Sequence, residues 1–82
     1  GPVDAVYNAI KKILGISPQL KGFRIGATSE RSDAQAETRI ILHHKEIQAQ
    51  GRGTSTDIVE SSVRAYVAAI NRLYTAAAAK DI

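Results

Sequence analysis

The residues best suited to chemistry are two adjacent histidines, several serines and a glycine-rich string, Gly51-Arg-Gly-Thr-Ser-Thr-Asp-Ile-Val-Glu-Ser-Ser62. Histidine is the commonest metal ligand and the usual general base near neutral pH. His43 and His44, however, are neighbours in an alternating segment, where successive side chains point to opposite faces. They cannot hold one metal ion together, and no third ligand stands nearby at a suitable spacing. No serine has the setting of a nucleophile elbow, and neither histidine has a recognisable triad setting. Gly51-Arg-Gly-Thr-Ser lacks the lysine and the spacing of a phosphate-binding P-loop. What the string does offer is capping chemistry. A helix start exposes four unpaired N–H groups, and Thr54, Ser55, Thr56 and Asp57 are the residue types that satisfy them. Thr54-x-x-Asp57 and Asp57-x-x-Glu60 both have the spacing at which an N-cap and the third helical residue bond each other. The residues predict a binding or interaction module with no catalytic residues, no metal and no cofactor, rather than an enzyme.

The elements that would position these groups are legible in the hydrophobic pattern. Gly1-Pro2 opens a helix, since proline is tolerated where the N–H is unpaired anyway. Asp4 in its first turn and Lys11-Lys12 in its last suit the helix dipole. Val3, Val6, Tyr7, Ile10, Ile13 and Leu14 fall on one stripe, and Gly15 ends the helix as a left-handed cap. Leu20–Thr28 reads as a strand with Phe23, Ile25 and Ala27 on one face. Ser29-Glu-Arg-Ser-Asp33 reads as a polar turn. Ala34, Ala36, Thr38, Ile40 and Leu42 then alternate with polar or exposed positions. After a turn near His44-Lys45, Ile47, Ala49, Gly51 and Gly53 do the same. A last helix is predicted from about Asp57 to about Ala77, with Val59, Val63, Tyr66, Val67, Ile70, Leu73 and Tyr74 as its stripe. Ser61, Ser62, Ala65, Ala68 and Ala69 leave its flank thin, so that something can approach closely. The order α-β-β-β-α predicts an α+β two-layer sandwich, with both helices on one face of a three-stranded antiparallel sheet.

Eighty-two residues make one small domain, near the lower size limit for a self-sufficient core. There is no cysteine, so neither disulfides nor thiolate metal sites can staple it. No apolar run approaches the ~20 residues that span a bilayer, and no signal peptide is visible, which fits a cytoplasmic protein without membrane contact. The net charge of +3 comes from scattered residues, eleven basic and eight acidic. The same element order occurs in double-stranded RNA-binding domains, which place lysines at the start of the last helix. Here that position carries Asp57 and Glu60, which repel phosphate, and no exposed aromatic face is available for stacking. The pattern therefore argues against a nucleic-acid partner.

Gly1-Pro-Val-Asp-Ala5, Asp33-Ala-Gln-Ala36, Gly51-x-Gly-Thr-Ser-Thr-Asp-Ile-Val-Glu-Ser-Ser62 and Ala69-Ile-Asn-Arg-Leu73 together resemble the C-terminal regulatory domain of the alpha-isopropylmalate synthase family. That resemblance implies a domain that binds leucine as effector and feeds back on leucine biosynthesis, with catalysis by an acyltransferase TIM barrel outside this chain. It also implies a homodimer, and a fragment that begins at the first helix and lacks three preceding strands. The related citramalate synthases, whose domain senses isoleucine, are the alternative; they carry a different string at the last helix start. Carried over from the family, the effector pocket maps to Gly1, Val3 and Asp4 at the first helix, Leu20, Phe23 and Ala27 on the first strand, Ala34 on the second, and Ile58 on the last helix. A helix N-terminus suits the effector's carboxylate, and small aliphatic walls suit a branched side chain.

Overall fold

The computed structural model describes residues 1–28 and 35–80, with Lys80 placed by its backbone only; the polar turn expected at Ser29-Glu-Arg-Ser-Asp33 falls outside the described residues. Two helices and three strands follow in the predicted order: α1 (Pro2–Leu14), β1 (Gln19–Ala27), β2 (Ala36–His44), β3 (Ile47–Ser55) and α2 (Ile58–Lys80). The strands form an antiparallel sheet in the order β1-β2-β3. Gly15 ends α1 at φ 71°, in the left-handed region, and its N–H donates to the Lys11 carbonyl at 2.9 Å. The β2–β3 hairpin turns at Lys45, which takes φ 56°. A bulge between Leu20 and Gly22 restores Leu20 to the same face as Phe23 and Ile25. No described helix is long and apolar enough to cross a membrane.

The glycines of β3 govern how the two layers meet. A Cβ placed on Gly51 would run into the Ala65 carbonyl oxygen and stand 2.5 Å from the Ala69 nitrogen. One on Gly53 would meet the Ser61 carbonyl oxygen and come within 2.5 Å of the Ala65 nitrogen. The backbone of α2 lies directly on β3, in space that any other residue would fill. The thin flank of α2 is thus its contact seam: Ser61, Ser62, Ala65 and Ala69 are fully buried. Val67 and Tyr74, expected on the buried stripe, are each 43% exposed because the seam has turned toward the small residues. Arg64 and Arg72 reinforce the seam, donating to the carbonyls of Thr54 (2.9 Å) and Gln50 (2.7 Å). Those bonds also occupy acceptors on an edge strand, where unpaired groups invite association.

Under the seam, Thr38 Oγ1 lies 2.9 Å from Ser61 Oγ and 3.3 Å from Ser62 Oγ. Both serine hydroxyls donate to the Ile58 carbonyl, at 2.9 and 2.8 Å. The buried hydroxyls are therefore satisfied, as burial requires. Asp57 caps α2, its Oδ1 accepting from the N–H groups of Val59 (2.7 Å) and Glu60 (3.2 Å). Ser55 Oγ accepts from the Asp57 N–H at 3.1 Å, whereas the Glu60 side chain turns forward to Arg64.

Helix α1 reaches the core by packing on α2. The Tyr7 ring stacks on Tyr66 with centroids 4.2 Å apart, and its hydroxyl donates to the Ser62 carbonyl at 2.8 Å. Tyr7 joins Ile40, Leu42, Ala65, Tyr66, Ala69 and Ile70 in the core, with Val3, Ile10 and Ile16 packed against it. The C-terminal end of the α1 stripe lies open: Ile13 is 82% exposed, and Leu14 also reaches solvent. Because α2 lies over β2 and β3 and α1 lies against α2, the helix-side face of β1 stays half open. Leu20, Phe23 and Ile25 all show there as exposed large apolar side chains.

Candidate functional site

A cleft of about 350 Å³ opens where α1, β1 and α2 converge, lined by Asp4, Tyr7, Asn8, Lys11, Pro18, Leu20 and Tyr66. Its polar groups come from one face of α1. Asp4, Asn8 and Lys11 succeed one another at helical spacing, so a carboxylate, an amide and an ammonium stand in line. Pro18 is buried and Leu20 half exposed, and together with Tyr7 they supply the apolar wall.

The two tyrosines behave differently. Tyr7 has a partner for its hydroxyl, while Tyr66, 2% exposed, has a buried hydroxyl with no hydrogen-bond partner among the described residues. An orphaned buried hydroxyl costs about 1–3 kcal/mol, so its persistence calls for an explanation. Burial pushes the Tyr7 hydroxyl up to about 12, helped by neighbouring Tyr66 and Asp4 and opposed by the bond to Ser62. Burial also raises the Tyr66 hydroxyl. Both phenols are therefore neutral donors at physiological pH.

Two of the effector residues expected from the sequence, Asp4 and Leu20, share this cleft. Phe23 and Ala27 continue the same face of β1 away from it, opposite Ile40 and Ala36 of β2. Val3 packs against the core and Gly1 is exposed at the helix start. Ile58, 51% exposed, begins α2 one turn before the serines that bond Thr38. Since Thr38 pairs with Ile25, Ile58 belongs to the Ile25–Ala27 end of the open face. Ala34 lies outside the described residues. Of the expected residues, the structure brings together Asp4 and Leu20 in the cleft and sets Phe23 and Ala27 farther along the same face of β1. Sequence reasoning missed Tyr66, Asn8 and Lys11. Tyr66 reads as an ordinary core residue, and the other two as solvated helix surface.

Chemistry elsewhere is sparse. His43 pairs across the sheet with Gln19 and Gln48, while His44 lies beside Leu73 and Tyr74 in a separate depression under the hairpin. Among the described residues no three His, Cys, Asp or Glu side chains come together. Asp57, as N-cap, puts a carboxylate where a phosphate-binding helix would need positive charge.

The profile of the LeuA allosteric (dimerisation) domain matches residues 1–74, most of the chain. The chain belongs to this family. It is 49% identical over 72 residues to the 2-isopropylmalate synthase of Aquifex aeolicus, covering 88% of this chain and 14% of that protein. The 2-isopropylmalate synthase of Haemophilus influenzae is 43% identical over all 82 residues, which are 16% of its length. That of Ruminiclostridium cellulolyticum is also 43% identical, over 72 residues, 88% of this chain and 14% of its own. The chain thus spans about one-seventh of the length of these relatives, and the family match falls on their regulatory part. No solved structure matches the chain. The resemblance expected from the Gly-Pro and Gly-x-Gly-Thr-Ser-Thr-Asp-Ile-Val-Glu strings is therefore borne out at the level of the family, as is the α+β order.

Proposed function

We propose that this domain is an amino-acid sensor that takes leucine in the α1–β1–α2 cleft and controls a 2-isopropylmalate synthase in the cytoplasm. The carrying observation is the cleft itself, where Asp4, Asn8 and Lys11 from one face of α1 meet Tyr7, Pro18, Leu20 and Tyr66. An α-amino acid has one ammonium and one carboxylate, and the cleft offers Asp4 for the first and Lys11 for the second. Asn8 supplies a further hydrogen bond, and Pro18, Leu20 and Tyr7 suit an aliphatic side chain. The half-open trough through Phe23, Ala27 and Ile58 extends from this cleft and is the face that a second copy would cover in a homodimer. On this reading the domain binds and signals, and the condensation chemistry belongs to the remainder of a synthase.

Titration with leucine, isoleucine and valine tests the reading through amide chemical shifts and thermal melts. Leucine should shift Asp4, Asn8, Lys11, Leu20 and Tyr66 and raise Tm, because a ligand of the folded form adds about 2.7 kcal/mol at a hundredfold excess over Kd. A stronger response to isoleucine would reassign the sensor to the citramalate type. No shift at millimolar amino acid would remove the cleft as the site. Sedimentation across a dilution series tests the homodimer, with a monomer at every concentration counting against it.

A further inference from the structure

The outer face of the sheet, away from both helices, carries a line of positive charge. Cross-strand pairing sets Arg24 opposite Arg39, and Arg39 opposite Arg52, so three guanidinium groups cross the sheet in a single row. Strands lie about 4.8 Å apart, so the row spans about 10 Å. Like charges directly opposite one another weaken a sheet, and this row sets two such pairs in succession. Glu37, one register step away, is the counter-charge. It accepts from Arg39 Nε at 2.8 Å and Arg52 Nε at 2.7 Å. Both bonds use Nε, and the two arginine side chains remain 54% and 55% exposed, so their terminal nitrogens still face solvent. Arg24 has no ion-pair partner among the described residues. Beside the row lies a depression of about 500 Å³, lined by Gly22, Phe23, Arg24, Arg39, Ile41 and Gln50. It exists because Gly22 has no side chain; a Cβ there would stand 3.3 Å from Ile41 Cδ1.

We propose that this face docks an acidic segment of a protein partner, whose carboxylates bridge the Arg24–Arg39–Arg52 row while an aliphatic side chain enters the Gly22–Ile41 notch. Guanidinium forks match carboxylates two-by-two, and terminal nitrogens left over after the Glu37 bonds are the ones a fork uses. A single small anion is a poor fit, since the three groups stand in a line and do not converge on one point. A nucleic acid is also a poor fit. The row is short, Glu37 interrupts it, and its neighbours Gln48, Gln50 and Thr54 are neutral. An acidic segment with apolar residues interspersed meets both the charge and the notch. This inference is independent of the effector reading, since the row lies on the opposite face of the sheet from the cleft.

A labelled peptide of alternating glutamate and leucine, followed by fluorescence anisotropy at low salt, tests it on the 82-residue chain. Arg24→Gln should weaken the peptide about five-fold, the upper worth of an exposed ion pair. Lys12→Gln, which removes the same charge from the far side, should leave binding unchanged. Arg24→Glu should weaken it further than Arg24→Gln, and each variant should melt as cooperatively as the parent, since Arg24 bonds nothing described. Equal weakening by Lys12→Gln and Arg24→Gln would reduce the effect to net charge and overturn the proposal. So would a duplex RNA that displaces the peptide at equal charge concentration, since the face would then be reading phosphate.

Discussion

Replacing Gly51 or Gly53 with alanine tests the central packing argument most directly. The added methyl at Gly51 meets the Ala65 carbonyl, the Ala69 nitrogen at 2.5 Å and the Ala69 Cβ at 2.8 Å. At Gly53 it meets the Ser61 carbonyl, the Ala65 nitrogen at 2.5 Å and the Arg64 Cβ at 2.7 Å. The obstacles are mostly helix backbone, which has no rotamer to escape into. Non-bonded atoms are comfortable at about 3.5–4.0 Å, so α2 must retreat by about 1 Å, and a gap of that size forfeits up to half of each contact's attraction. Overpacking of this kind costs about 3 kcal/mol, while the stiffer unfolded chain returns about 0.5–1 kcal/mol. A net loss of about 2 kcal/mol per site should lower Tm by about 10 °C in a domain of this size. Gly26→Ala is the internal control: it also lies in a strand, but none of the described residues stands within 4 Å of its added Cβ. Urea and thermal melts of the three variants would decide the matter. If Gly51→Ala and Gly53→Ala lost no more stability than Gly26→Ala, close approach of α2 would not be the reason for glycine at these positions.

Three further outcomes follow from named groups. Tyr66→Phe removes an orphaned buried hydroxyl, so the ligand-free domain should be unchanged or up to about 1 kcal/mol more stable in denaturant melts. Hydrogen bonds from Arg39 and then Arg52 hold the Glu37 carboxyl below its ordinary value of 4.5. Its folded form is the more acidic, so its contribution is full above that value and is lost as pH falls below it; Glu37→Gln should flatten this part of the acid limb of stability against pH. For Tyr7 the folded hydroxyl is raised to about 12 from 10.0, chiefly by burial. Its contribution is full below pH 10.0 and is lost as pH rises toward 12, so a Tyr7→Phe variant should show a shallower alkaline limb, measured by melts alongside tyrosinate absorbance.

Much of the architecture was readable because it rests on local rules. Period-two alternation over β2 and β3, glycine after α1 and the hydroxyl-rich start of α2 each state their element in a few neighbouring residues. Ile13, Leu14, Val67 and Tyr74 show where the same rules fail. Periodicity reports which residues share a face, but the partner that arrives decides how wide a strip of that face is covered. On α2 the partner is β3, and its missing side chains draw the seam onto Ser61, Ala65 and Ala69.

The candidate site divides in the same way. The family followed from short strings of sequence, and Asp4 and Leu20 were proposed as effector contacts through it. That Asp4, Asn8 and Lys11 line one cleft with Leu20 and Tyr66 depends on how α1 docks on α2, a contact between residues more than fifty positions apart. The alignment of Arg24, Arg39 and Arg52 likewise required the register of three strands, which a bulge at Leu20/Gly22 shifts on one side. Sequence by itself determined the elements, their order, the capping of α2 and the family, because each is written in near neighbours. Only the tertiary structure decided which polar groups converge and which are left unpaired, because convergence is a property of packing between distant segments and not of any one of them.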